Sequence, residues 1–374
     1  MAQRDLYIDR LRTVITALVV VFHAAITYGG SGGWFYHEVE SSGTPSSLLL
    51  TVFCGTNQAY FMGLFFLLAG YFTPAALERK GNARFIGDRF LRLGLPLLAF
   101  GLILAPLTAA MVDFAKGDGF WPTILWFWHQ KRFINGPLWF AEALLIFSLA
   151  YCAWRAIAGA PLAQTQRTPK PVPAYRWWLV SAVGVAAAAL AIRQFIPVGK
   201  DVIGMQLGYF SSYIFLFAVG IAAWRYDWLR RLGWRNARPW IWTLAVAWPC
   251  LPVAIVAAIQ FIGVGKANFS GGLSWPAVFY ACWEPFVAWG LIAAWLLVFR
   301  ERMNQPSALW AWLNRRAYAV YIIHPVVLVG VSLLLRGWVA PPLVKWGVVG
   351  PLACIACWLV ADPLVRLPGV RRVV

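Results

Sequence analysis

Charged residues are scarce in this sequence, and acidic residues are the scarcest. Only 12% of the 374 residues are charged, and 14 of them are Asp or Glu, whereas 61% are apolar. The mean hydropathy of +0.67 excludes a soluble globular protein of this length. The 23 Trp and 13 Tyr residues are typical of the two interfaces of a membrane. The composition therefore indicates an all-α, polytopic membrane protein.

Motifs of several common enzyme classes are also absent. The sequence has no P-loop, no dinucleotide-binding Gly motif and no zinc-protease His motif. ATP-driven and redox mechanisms therefore have no support. The six cysteines lie in or near apolar stretches and are interpreted as small core hydrophobes. Because Cys354 and Cys357 lack His or Cys partners at metal spacing, we expect no metal.

Apolar runs of about 20 residues predict about ten transmembrane helices. No cleavage site follows the first run, so we expect it to remain as a helix. The loops are too short for a soluble domain, which predicts a single membrane domain over residues 1–374. A short apolar segment at 121–128 is predicted to be interfacial or re-entrant. The predicted spans are 11–30, 49–76, 93–112, 137–158, 177–197, 205–224, 240–262, 275–299, 317–335 and 341–361.

The basic residues alternate between the loops on the two sides of these spans. If the N-terminus is cytoplasmic, 24 of the 32 Lys and Arg residues fall inside and 8 fall outside. This bias predicts that both termini are cytoplasmic. The net charge of +18 lies in loops rather than on a basic helix face or tail. We therefore expect contact with anionic lipids and no nucleic-acid partner.

The first apolar stretch, Leu11 to Tyr28, carries a stripe of polar residues. Arg12, Thr16, His23 and Thr27 fall within about 60° of one another on a helix, and Arg12 and His23 differ by a rise of about 16 Å. In lipid such a stripe must face protein or water, so we expect it to line a path leading inward from one surface. Neutral imidazole is a base near neutral pH, which makes His23 a candidate general base for a hydroxyl acceptor.

The second apolar run predicts both close helix packing and an anion site. A stripe of small residues favours close packing, and it consists of Gly55, Ala59, Gly63 and Gly70. After the run, Arg89 and Arg92 are three residues apart on one helical face, where they can hold phosphates of a cytoplasmic nucleotide-bearing donor. The alternative is that these basic residues only fix the topology.

Three further ionisable residues lie inside apolar stretches. Glu142 and Glu284 are candidates for function because a buried acid in a membrane is costly, and Glu284 lies deeper. His324 lies about 12 Å from the inner surface, against about 16 Å for His23, so the two can share one layer. Glu284 and His324 are candidate partners of His23. The alternative for each is a structural ion pair or hydrogen bond.

A series of motifs resembles the acyltransferase-3 family of integral membrane acyltransferases. The family hallmark is an Arg and a His with ten residues between them on the first helix, here Arg12 and His23. The chain is most similar to the branch that includes the periplasmic-glucan succinyltransferases. The motifs cover essentially the whole chain in family order: LYIDRLRTVITALVVVFHA, FFLLAGYFTPAALERKG, FIGDRFLRLGLP, PLWFAEALLIF and RAYAVYIIHP.

This resemblance implies an O-acyltransferase of a bacterial-type inner membrane. Such an enzyme takes an acyl group of acetyl or succinyl type from cytoplasmic acyl-CoA and transfers it to a hydroxyl of a carbohydrate or other envelope acceptor. It implies that His23 is catalytic and that Arg12 binds or orients the donor, while Arg89 and Arg92 match a basic motif on the donor side. Glu142 departs from the family pattern, because it does not align with the carboxylate that many members carry in this Trp-led motif.

Two routes for His23 remain open, and so do two other classes of function. His23 can remove the proton of the acceptor hydroxyl, with Glu284 or His324 orienting it, or it can itself become acylated. A proton-coupled transporter of a small solute would use the polar stripe and the buried acids as its path. A structural subunit of an envelope-assembly complex would tolerate substitutions in the stripe. Hydrolysis of acyl-CoA by the purified protein separates the enzyme from a transporter, which should show none.

Overall fold

A computed structural model describes residues 5–158, 167–263 and 265–373, and within these ranges every extended element is a helix. Among the described residues, ten helices are long and apolar enough to cross a membrane, which confirms the predicted number of about ten. We number the main helices α1 (Leu6–Thr27), α2 (Pro45–Lys80), α3 (Asn82–Lys116), α4 (Phe120–His129), α5 (Gly136–Ile157), α6 (Tyr175–Phe195), α7 (Leu207–Tyr226), α8 (Trp234–Ile262), α9 (Trp275–Arg302), α10 (Ala308–Leu334) and α11 (Pro342–Leu364).

The predicted and observed helix boundaries differ most where a helix continues into polar sequence. Helix α3 begins at Asn82 rather than at 93, and α10 begins at Ala308 rather than at 317. Both extensions contain Arg residues, which an apolar-run criterion rejects although Arg is a good helix former. The short segment predicted at 121–128 is helix α4, and its interfacial position stays a prediction, as does the cytoplasmic side of both termini. The connection between α5 and α6 contains a polar, proline-rich stretch at 164–173, of which residues 164–166 lie outside the described ranges.

The described contacts group the chain into two compact units. Unit 1 contains Met1–Leu11, Gly55–Arg89 and Ala143–Gln305, and unit 2 contains Arg12–Cys54, Phe90–Glu142 and Pro306–Val374. The prediction of one functional domain over 1–374 stays a prediction.

Unit 1 is built around α9, which packs against α6 and α8. Its closest backbone approach lies between α2 and α7, where a Cβ added to Gly70 would be 2.1 Å from the carbonyl oxygen of Phe217. A Cβ added to Gly220 would likewise be 2.1 Å from the carbonyl oxygen of Leu67. The predicted packing role of the small residues on α2 is therefore confirmed at Gly70, where only glycine lets the two backbones touch.

Unit 2 is built around α10, which packs against α11 and α3. Helices α1 and α10 run parallel and in register. Thr13 Oγ1 donates to Asn314 Oδ1 at 2.7 Å, and ten residues further along each helix His23 meets His324. Helix α11 also lies along α1, because the Trp346 indole donates to the carbonyl oxygen of Val21 at 3.1 Å.

Helix α3 contains two π-helical turns, Phe90–Gly94 and Phe100–Leu104. In each turn a backbone carbonyl accepts a hydrogen bond from a distant side chain. The Tyr318 hydroxyl donates to the carbonyl oxygen of Arg92, and the Trp128 indole donates to that of Leu102 at 3.0 Å. Such turns are frequent at functional sites, and the first one contains an arginine predicted to bind the donor.

The cysteines divide into core and outward-facing residues. Cys54, Cys152 and Cys357 are buried, as predicted. Cys250 and Cys282 are exposed, so their interpretation as core residues is wrong. Both lie in spanning helices, and a spanning helix is apolar on its outer face as well as on its inner face. Hydropathy alone therefore does not distinguish a core position from an outward-facing position in such a helix.

Candidate active site

Two histidines from the parallel helices α1 and α10 form the centre of the candidate site. Nδ1 of His23 lies 3.2 Å from Nε2 of His324, and the ring centroids are 5.2 Å apart. His324 is fully buried, whereas His23 is partly exposed. The predicted common layer for these two residues is therefore confirmed, although their catalytic role stays a prediction.

A proline determines which nitrogen of His324 carries the proton. Pro325 has no N–H, so the carbonyl of Tyr321, four residues earlier, lacks its usual helical donor. The Nδ1 atom of His324 lies 2.7 Å from this carbonyl oxygen. A carbonyl only accepts, so Nδ1 of His324 must carry the hydrogen.

The same reasoning assigns the tautomer of His23. In a neutral His324 whose Nδ1 is protonated, Nε2 is an acceptor. Nδ1 of His23 must then donate the hydrogen bond between the two rings. This leaves Nε2 of His23 with a lone pair, which is the form required of either a general base or a nucleophile.

The loop between α1 and α2 places an indole ring on His23. The Trp34 ring stacks on the His23 ring with a centroid distance of 3.9 Å and an angle of 18°. It also lies 5.8 Å from the His324 ring, at an angle of 12°. Since the indole covers one face of His23, it restricts rotation of the imidazole.

Backbone and ionic contacts hold this loop against unit 2. The backbone N–H groups of Glu38 and Val39 both donate to the carbonyl oxygen of Thr27, at 2.9 and 3.2 Å. The Glu38 carboxylate pairs with Lys345 of α11, which is buried. The Ser47 hydroxyl donates to the carbonyl oxygen of Gly29 at 2.6 Å. The loop is therefore fastened on both sides of Trp34.

Arg12 of α1 and Arg92 of α3 form a basic region around Tyr318 of α10. Arg12 and Arg92 are both exposed, and their charges act on the Tyr318 hydroxyl, which itself bonds to the backbone of Arg92. Arg12 precedes His23 by a rise of about 16 Å in the continuous helix α1. The predicted donor-side arginines Arg12 and Arg92 are therefore both close enough to Tyr318 for their charges to act on it, and their binding of a donor stays a prediction.

Arg89 lies in the same helix as Arg92 but belongs to unit 1. Its guanidinium lies 4.8 Å from the ring centroid of Phe85. The chain enters the π-helical turn at Phe90, so α-helical spacing does not describe the angle between Arg89 and Arg92. The predicted common face assumed uninterrupted α-helix, and the role of Arg89 stays a prediction.

Glu142 supports the start of α5. Its carboxylate accepts a hydrogen bond of 2.7 Å from the side-chain amide of Asn135. Within this turn the Pro137 carbonyl accepts a hydrogen bond from the hydroxyl of Tyr321. The backbone carbonyl of Tyr321 in turn accepts the hydrogen bond from Nδ1 of His324. Glu142 therefore helps to hold a segment that contacts the histidine pair indirectly.

Glu284 belongs to unit 1, where it forms a buried ion pair with Arg193. The guanidinium also donates to the carbonyl oxygen of Gly208 at 3.0 Å and lies between the rings of Tyr209 and Tyr280, at 5.2 and 5.5 Å. This ion pair corresponds to the structural role that was the predicted alternative to function for a buried acid. Its predicted catalytic role stays a prediction.

Sequence reasoning missed three residues of the site. Trp34 lies in a loop, where no periodic pattern marks it, and only its position just after the first span was a signal. Glu38 was not recognised because its partner, Lys345, is more than three hundred residues away. Tyr321 shares a helix face with His324, three residues on, and this spacing could have identified it. Among the described residues, no group of three or more His, Cys, Asp or Glu residues is arranged to hold a metal ion.

Comparisons with known proteins place this geometry in context. The profile of a family described as "Acyltransferase domain" (Acyl_transf_3) matches residues 5–362. Glucans biosynthesis protein C of Escherichia coli (strain K12) is 27% identical over 157 residues, which cover 41% of this chain and 39% of that protein. The protein of the same name from Shigella dysenteriae serotype 1 is 26% identical over the same shares. The chain thus matches well under half the length of these relatives, and no solved structure matches.

Proposed function

Because the chain belongs to the acyltransferase-3 family of membrane acyltransferases, we propose that it is an O-acyltransferase. The proposed acceptor is a hydroxyl of a carbohydrate or other envelope compound. The proposed donor is an acyl-CoA of acetyl or succinyl type. The observation that carries this proposal is the hydrogen-bonded pair of His23 and His324. It leaves the Nε2 lone pair of His23 directed away from the pair. A hydroxyl needs such a base before it attacks a thioester.

The proposed transfer begins at His23. Nε2 removes the proton of the acceptor hydroxyl as its oxygen attacks the thioester carbonyl carbon. The carbon–sulfur bond then breaks, and the proton on His23 passes to the departing CoA sulfur. The products are an acyl ester and free CoA, and His23 returns to its starting tautomer.

His324 is proposed to orient and stabilise the base. Its Nε2 accepts from Nδ1 of His23 throughout the cycle, so the positive charge that forms on His23 remains hydrogen-bonded. The Tyr321 carbonyl, which Pro325 leaves without a helical donor, holds His324 in the matching tautomer. This arrangement resembles the base-and-orienting-group pairs of other nucleophilic enzymes.

The basic region at Arg12 and Arg92 is the proposed binding site for the CoA phosphates, and Arg89 remains a predicted donor ligand. Arginine binds phosphate through charge-assisted and often bidentate hydrogen bonds. The rise of about 16 Å from Arg12 to His23 is within reach of an extended pantetheine arm. The donor and the base would then meet along the polar stripe of α1.

The decisive experiment measures binding and turnover of labelled acetyl-CoA and succinyl-CoA by the purified protein. Wild type is compared with His23→Ala and with His129→Ala, a control at the end of α4. We expect wild type to bind and slowly hydrolyse one donor, and His23→Ala to bind it with a turnover about 10²- to 10⁴-fold lower. The control should match wild type.

Two results would contradict the proposal. Full acyl transfer by His23→Ala would exclude His23 as either base or nucleophile. Failure of wild type to bind any acyl-CoA would exclude donor transfer, and transport of small acids in proteoliposomes would then be the next measurement. Trapping of an acylated His23 would keep the acyltransferase function but replace direct transfer with the covalent route.

A further inference from the structure

We propose that the loop between α1 and α2 is the acceptor subsite, in which Trp34 and Glu38 bind hydroxyls of an uncharged, polyhydroxylated acceptor and direct one of them to His23. This inference rests on the proposed acyltransferase function and assigns the residues that select its acceptor. It follows from the distribution of polar groups along α1 and α10, from hydrogen-bonding atoms without partners and from the local charge balance.

The polar groups of these parallel helices fall into three layers. The basic layer with Arg12 lies about 16 Å before His23, which is the middle layer. The third layer begins at Tyr28, about 8 Å beyond His23. There the Tyr28 hydroxyl lies beside the hydroxyl of Ser332 and interacts electrostatically with Glu38. If the first layer binds the anionic donor, the third layer is the side from which an acceptor reaches the histidine pair.

The loop presents buried polar atoms that lack partners within the described part of the chain. The Trp34 Nε1 hydrogen has no acceptor there, and Glu38 Oε2 has no donor although Oε1 bonds to Lys345. The hydroxyls of Tyr28 and Ser332 likewise have no hydrogen-bond partner among the described residues. Buried polar atoms without partners are costly, and each such position in a native protein calls for a ligand or another explanation.

The set of unpaired atoms identifies the chemical class of the acceptor. It contains a pure donor at Trp34, a pure acceptor at Glu38 and hydroxyls that do both. Hydroxyl groups of a ligand, which also donate and accept, complement this mixture. The charge of Glu38 is balanced by Lys345, so this buried pair does not favour an ionic acceptor. An uncharged compound with several hydroxyls fits best.

Trp34 links this subsite to the reaction. Its indole stacks on the His23 ring at 3.9 Å, so a hydroxyl bound to its Nε1 hydrogen is next to the base. An aromatic face combined with a few placed polar groups is the usual composition of a small-molecule site. The loop contacts at Thr27 and Lys345 hold the indole in this position.

The test uses Trp34→Phe, which keeps an aromatic ring on His23 but removes the N–H donor, and Glu38→Gln, which keeps an oxygen for Lys345 but removes the charge. Trp338→Phe is the matched control, in the connection after α10. Steady-state transfer is measured with acetyl-CoA or succinyl-CoA and with neutral gluco-oligosaccharides. Oligosaccharides of glucuronic acid and of glucosamine are the charged comparisons.

We expect Trp34→Phe to raise the KM for the neutral acceptor about 3- to 10-fold and Glu38→Gln about 10- to 100-fold. The KM for acyl-CoA should change less than twofold in both variants, and Trp338→Phe should match wild type. A loss of folding would raise neither KM selectively, because it lowers only the amount of active enzyme.

Several outcomes would overturn the inference. An unchanged acceptor KM in both variants would exclude Trp34 and Glu38 as acceptor ligands. Preference of wild type for a charged acceptor would exclude the uncharged class. If wild type hydrolyses acyl-CoA but transfers to no oligosaccharide, the subsite assignment fails while the acyltransferase function survives. If wild type neither binds nor hydrolyses acyl-CoA, the proposed function fails, and the inference fails with it.

Discussion

His23 and His324 are joined by a hydrogen bond whose direction is determined by the proline after His324. The two nitrogens lie 3.2 Å apart, and the other nitrogen of His324 lies 2.7 Å from the Tyr321 carbonyl oxygen. Because Pro325 cannot donate to that carbonyl, His324 does so and must accept from His23 on its opposite side. A single proline thus determines the tautomer of a residue on another helix.

Replacing this proline should lower activity without lowering stability. Pro325→Ala restores a backbone N–H that competes with His324 for the Tyr321 carbonyl. We expect kcat to fall about 3- to 10-fold, while the thermal unfolding temperature is unchanged or higher, since alanine favours helix. Pro351→Ala in α11 is the matched control. An unchanged kcat for Pro325→Ala would show that the proline does not set the tautomer.

The activity should depend on which side chain replaces His324. His324→Leu removes the acceptor for Nδ1 of His23, and we expect kcat to fall about 100-fold. His324→Gln retains an amide oxygen that accepts this hydrogen bond, so about a tenth of the activity should remain. The KM for acyl-CoA should change little. Equal losses in the two variants would indicate that His324 only fills space, and His129→Gln is the control.

Arg12 should act on the donor rather than on the chemical step. Arg12→Ala removes a phosphate ligand, and we expect the KM for acyl-CoA to rise about 10- to 100-fold. Arg12→Lys keeps the charge but loses the bidentate geometry, which should give an intermediate KM. Binding should weaken with ionic strength in wild type and less so in Arg12→Ala. Arg371→Ala near the C-terminus serves as control, and an equal KM in all variants would contradict donor binding at Arg12.

The buried ion pair of Arg193 and Glu284 should matter for stability because its two charges compensate each other. Glu284→Leu leaves a buried arginine without its counter-charge, which costs about 3–5 kcal/mol. The double variant Arg193→Met/Glu284→Leu should regain most of this loss, because it removes both charges. Thermal unfolding in detergent measures both effects. If Glu284→Leu keeps wild-type stability but loses turnover, the catalytic alternative for Glu284 gains support instead.

Gly70 should tolerate no side chain. In Gly70→Ala the new methyl group would overlap the Phe217 carbonyl, so α2 and α7 must separate, and we expect a loss of about 1–3 kcal/mol. Gly184→Ala in α6 is the matched control, since a Cβ there has no neighbour within 4 Å. A Gly70→Ala protein as stable as wild type would show that the two helices are free to move apart.

The sequence by itself determined the class of the protein, its ten spans and the matching positions of His23 and His324 along their helices. These properties follow from local quantities: run length, charge alternation and rise per residue. The small-residue packing at Gly70 and the common layer of His23 and His324 could be predicted for the same reason. The identity of the acyl group and of the acceptor does not follow from such quantities.

Only the tertiary structure decided which groups meet. Trp34 reaches His23 from a loop without periodicity, and Glu38 finds Lys345 at the far end of the chain. The partner of Glu284 proved to be Arg193, because hydropathy gives the depth of a residue but not the direction it faces. Depth is a property of one helix, whereas a contact depends on the rotation and register of two, and these are fixed by packing over the whole chain.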